Sequence, residues 1–112
     1  MSVIPYLFLF TKWPSDKAAE VVKKAIEGVN KFPRDESAWD DLTPGNAIKA
    51  TGDGVETISV LNVKKGRLEE AYFHTQKVAN FYATAIQGFE YRIEVWSNAE
   101  EAYGSIGQKP PG

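Results

Sequence analysis

Residues 4–13 read IPYLFLFTKW, with large apolar side chains at both even and odd positions. In an extended chain Tyr6, Phe8 and Phe10 point to one face, and Leu7, Leu9 and Thr11 to the other. The pattern predicts a central strand covered on both sides. Pro5 has no N–H to give a sheet ladder, so it fits only near the strand start or at an edge. Residues 3–10 also stand where a leader would. The run is only eight residues long, with no basic segment before it and no small-residue cleavage site after it. Neither a signal peptide nor a membrane span is therefore expected.

Pro14 and Ser15 mark a helix start, with Ser15 as N-cap and Asp16 in the first turn. Ala18, Val22, Ala25, Val29 and Phe32 then fall at helical spacing, and Pro33 ends the helix. Residues 33–46, PRDESAWDDLTPGN, are the least regular stretch. They set Arg34 against Asp35, Glu36, Asp40 and Asp41, with Trp39 as an anchor to the core or to a partner. Residues 47–63 read as a hairpin around Gly52-Asp53-Gly54. A long helix is expected over 67–87, with Leu68, Ala71 or Tyr72, Thr75, Val78 or Ala79, Tyr82 and Ala85 or Ile86 on its main stripe, widened by Phe73 and Phe81. The last main strand is 89–96. Phe89, Tyr91, Ile93 and Val95 share one face, and Glu90, Arg92, Glu94 and Trp96 the other. Ser97 and Glu100 have capping-box spacing for a short helix over 98–103.

The whole chain has 112 residues, enough for one domain and too few for two of ordinary size. Its 13 basic and 15 acidic residues leave a net charge of -2, which argues against phosphate-backbone contacts, so no nucleic-acid partner is expected. It has no cysteine, so disulfides, thiolate nucleophiles and sulfur-based zinc sites are excluded. A cytoplasmic protein with no membrane partner is expected.

The element order is β-α-β-β-α-β, that of the ferredoxin-like split motif. It implies an α+β fold: a four-stranded antiparallel sheet with two helices on one face. The other face then needs a second layer, because the first strand is apolar on both sides. On element order, first strand, amphipathic helices and length, residues 4–96 resemble the dimeric α/β barrel superfamily, in which two such sheets pair. The resemblance implies a homodimer or larger assembly, with residues 1–104 as the domain and 105–112 as a flexible tail. Superfamily members include small monooxygenases, isomerases, haem proteins, stress-response domains and ligand sensors.

Few residues carry chemistry. His74 is the only histidine, in EEAYFHTQK, and Glu70 lies four residues before it on the same helix face. The two would form a general base if they lined a pocket, and His74 serves equally as a surface or interface residue. Arg92 would hold an anionic ligand group on the inner face of the last strand, or take part in a cross-strand charge ladder. Tyr72, Tyr82 and Tyr91 would bring hydroxyls to a cavity or pack in the core. Trp13 and Trp96 close the first and last strands, at a pocket mouth or over helix ends. The acidic stretch 33–46 lacks calcium-loop spacing. No metal and no cofactor are expected. Two functions follow: a cofactor-independent monooxygenase or isomerase acting on a small apolar or anionic ligand, or a non-enzymatic ligand-sensing, regulatory or structural dimer.

Overall fold

The computed structural model describes residues 5–42 and 47–111. The expected strand start at Ile4 and the end of the irregular stretch, 43–46, lie outside them. In chain order the elements are β1 (Tyr6–Trp13), a 3-10 turn (Ser15–Lys17), α1 (Ala18–Lys31), β2 (Trp39–Asp41) and β3 (Ala47–Thr51). They continue with β4 (Gly54–Val63), α2 (Leu68–Ala83), β5 (Glu90–Trp96) and α3 (Ala99–Gly104). All strand pairs are antiparallel. The sheet runs β2-β4-β1-β5, with β3 also paired to β4. Strands β2 and β3 share one edge of β4, at residues 61–63 and 54–58. The fold is thus α+β with an open five-stranded antiparallel sheet, one strand more than the sequence predicts.

Strand β1 is central because both its faces and both its edges are used. Leu7 stands opposite Leu61 on β4 and Val95 on β5, and Leu9 opposite Ser59 and Ile93. Leu7, Leu61 and Val63 are buried in one cluster with Ala38, Trp39 and Ala71, and Leu68 and Ile93 pack against it. Burying a side chain the size of Leu7 stabilises by roughly 1.5–3 kcal/mol. Helices α1 and α2 both lie on this face. The other face carries an aromatic ladder. Phe8 lies 5.8 Å from Phe10 in a parallel stack and 4.4 Å from Trp96, and the Arg92 guanidinium sits 4.1 Å above Phe10. Neither α1 nor α2 covers it.

Five local expectations are corrected. Ser15 does not cap α1: Pro14 is extended and its carbonyl accepts the Lys17 N–H at 3.0 Å, so Ser15 lies inside the 3-10 turn. The inner stripe of α1 is Val21, Ala25 and Gly28, while Val22, Ile26 and Val29 are 59%, 65% and 74% exposed. Gly28 is buried against the Phe81 ring of α2, which also meets Phe32 edge-on at 5.4 Å. The stretch after Pro33 is partly core, since Ala38 and Trp39 are buried and β2 follows at once. Asp35 makes that turn by accepting the Ser37 N–H at 3.0 Å, and the Lys64 N–H reaches the Ala38 carbonyl at 2.8 Å. Finally α3 is capped by Asn98, which accepts the Glu101 N–H at 2.8 Å, one residue later than the Ser97 box predicts. Helix α2 keeps its predicted stripe, with Ala71, Thr75 and Ala79 buried, but Phe73 is exposed.

Candidate functional site

Between the sheet and the two helices lies a cavity of about 470 Å³. Its floor is the helix side of β1 and β4, where Leu9, Thr11, Thr57 and Ser59 stand two by two on neighbouring rungs. Its roof is Val21 and Ala25 of α1 with His74, Val78 and Tyr82 of α2. The roof is wide because Ala25, Gly28, Ala71, Thr75 and Ala79 are small, so the helices fill little of the space over the sheet. Val22 and Ile48 border it from exposed positions and mark its mouth.

His74 is half-buried, and its ring lies 4.6 Å from the buried Trp39 indole, inclined by 38°. Burial lowers its pKa from the ordinary 6.5. Asp41 and Asp35 pull the other way, and Lys77 adds to the lowering. The lowering favours the neutral imidazole, which has a lone pair to accept a proton. Asp41 is held by Arg34 at 3.2 Å, and both residues line the cavity. The mouth thus carries a closed ion pair rather than an open charge. Burial also raises the pKa of Tyr82, whose ring stacks on Phe89 at 5.2 Å.

The residues singled out from sequence fall on different surfaces. His74, Tyr82 and Trp13 line the cavity. Glu70 does not pair with His74: its carboxylate takes the Arg67 guanidinium, three residues back, in an exposed network with Asp35. Glu70 and His74 share only an outer groove with Phe73 and Lys77. The i,i+4 spacing put them on one helix face, and a stronger cation lay one turn earlier. Tyr72 is exposed on α2, and the Tyr91 hydroxyl donates to Asn80 at 2.7 Å. Arg92 and Trp96 lie on the aromatic face of the sheet, opposite the cavity. There Glu94 accepts from the Arg92 guanidinium and, at 2.9 Å, from the Trp96 indole, which holds its carboxyl below the usual range.

The sequence reading missed the cavity roles of Arg34, Trp39 and Asp41 and the hydroxyls of Thr11, Thr57 and Ser59. A signal was present for the hydroxyls: two stand in alternation on a strand face that otherwise carries Val55, Leu61 and Val63. Among the described residues no group of three His, Asp or Glu side chains could hold a metal ion. Asp35 is occupied by Ser37 and Arg67, and Asp41 by Arg34. No described helix is long and apolar enough to cross a membrane.

No protein-family model, curated protein or solved structure matches the chain.

Proposed function

We propose that this chain binds a small, partly apolar molecule in the cavity between sheet and helices. Two copies would pair their aromatic sheet faces in a ferredoxin-like dimeric α/β barrel. The observation that carries the ligand reading is His74: an imidazole in the wall of a cavity lined mainly by Leu, Val, Ala and aromatic side chains. Such a base removes a proton from carbon beside a carbonyl, and a water-poor site strengthens that step. An isomerase returns the proton at a second carbon. A cofactor-independent monooxygenase delivers the electrons of the same carbanion to dioxygen as co-substrate. The substrate suited to this site is neutral, because Arg34 is neutralised by Asp41 and Arg92 lies on the other side of the sheet.

A ligand-sensing dimer without turnover is the second reading. The closed Arg34–Asp41 pair favours it, since it leaves no spare cation at the mouth to stabilise a developing anion.

The test is a screen of neutral bicyclic ketones by NMR, followed by deuterium exchange at the carbon beside the carbonyl of any binder. Exchange catalysed by the wild type and reduced roughly 10²- to 10⁴-fold in His74→Gln supports the enzyme reading. Binding without exchange supports the sensor. No binding at millimolar ligand removes both.

A further inference from the structure

We infer that the hydroxyls of Thr11 and Thr57 form the polar anchor of the cavity, donating a hydrogen bond to the carbonyl oxygen of a neutral, otherwise apolar ligand. The inference rests on the cavity being a ligand site and names the group that site recognises. Thr11 and Thr57 face each other across β1 and β4, line the cavity, and are hydrogen-bonded to one another through their hydroxyls.

The proton count points outward from the pair. Two hydroxyls carry two protons, and the bond between them uses one. Whichever threonine donates, the other keeps a proton to give. Among the described residues no further acceptor bonds either hydroxyl. Thr57 is buried and Thr11 half-buried, and a donor left unpaired there is costly, so the remaining O–H turns to what occupies the cavity. A hydroxyl that already accepts one hydrogen bond is also a better donor of the next.

Two neighbouring hydroxyls are spent elsewhere, while those of Ser59 on the next rung and Tyr82 in the roof also line the cavity. Thr75 donates to the Ala71 carbonyl at 2.8 Å inside α2, and Tyr91 donates to Asn80. The pair lies in the sheet floor, with Leu9 beside it and Val78 among the lining residues of the roof. With no free cation among the described lining residues, a carboxylate would be desolvated without compensation, whereas a ketone or lactone carbonyl needs only one donor.

Binding of 1-tetralone and of tetralin, which differ by that carbonyl, tests the anchor on the wild type and on T11V, T57V and the T11V/T57V double variant. The wild type should bind tetralone about tenfold more tightly than tetralin, the scale of one hydrogen bond. Each single variant keeps one hydroxyl and part of the preference. The double variant should bind tetralin as the wild type does and show no preference for tetralone. The carbonyl stretch of bound tetralone should lie at lower wavenumber in the wild type than in an apolar solvent. A preference that survives in the double variant overturns the anchor while leaving the cavity a ligand site. Failure of both compounds to bind the wild type overturns the cavity reading and the anchor with it. Should the double variant not fold, a wild-type carbonyl band at its apolar-solvent position overturns the anchor alone.

Discussion

The His74 imidazole and the Trp39 indole lie 4.6 Å apart, centroid to centroid, one from the middle of α2 and the other from the first residue of β2. The contact ties the cavity roof to the sheet edge. It also places a titrating ring against a fluorophore, so the protonation state of His74 can be read from tryptophan emission.

Stability should fall as pH drops, through this histidine. Burial lowers its folded pKa below 6.5, so near that pH the unfolded chain binds more protons than the folded one, and unfolding free energy rises with pH. The histidine imposes no penalty well above 6.5. The penalty grows as pH drops through that value and levels off below the folded pKa. Urea midpoints measured from pH 4.5 to 8 should show this drift in the wild type and lose it in His74→Gln. An identical drift in both proteins would assign it to other groups.

Asp41→Asn should move the His74 titration further down, because the Asp41 charge favours the imidazolium. The midpoint is read from imidazole proton shifts by NMR. An upward move would mean that Asp41 is not the carboxylate His74 senses.

Phe8→Arg should abolish self-association if two copies pair their aromatic faces. Phe8 lies at the middle of the Phe10–Phe8–Trp96 ladder, and an arginine there would bring like charges together across the interface. Sedimentation should give twice the chain mass for the wild type and the single mass for the variant. Arg92→Ala, on the same face, should leave cavity ligands bound as before, since it lies across the sheet from them.

Gly54→Ala should destabilise by roughly 1–3 kcal/mol. Gly54 has φ +147°, and an added Cβ would meet the Trp13 carbonyl oxygen on the adjacent strand. Thermal unfolding measures the loss. Gly52→Ala, where a Cβ meets nothing, is the control.

Strand β1 was legible because its apolar residues are large, and the inner stripe of α2 because Leu68, Ala71, Thr75, Ala79 and Tyr82 recur at one helical period. Helix α1 misled for a physical reason. It carries two apolar rows, and the one with larger side chains, Val22, Ile26 and Val29, is the exposed one. The row that packs, Val21, Ala25 and Gly28, is smaller, and small residues give close approach without a strong hydrophobic signal. Strand β2 was hidden because only Trp39 in it is buried, while Asp40 and Asp41 give the segment a loop-like composition. The charge partners of His74 were out of reach for another reason. Asp41 and Asp35 come from a segment more than thirty residues earlier, and only pairing of β2 with β4 brings them near.

The cavity changes what the empty protein is. Its mouth at Val22 and Ile48 is open, so the space holds solvent when no ligand is bound. A ligand that expels this water completes the interior of the domain, so the guest becomes a structural component of its host. Proteolytic lifetime, thermal midpoint and the holding of α1 against the sheet would then all report on the supply of that one small molecule.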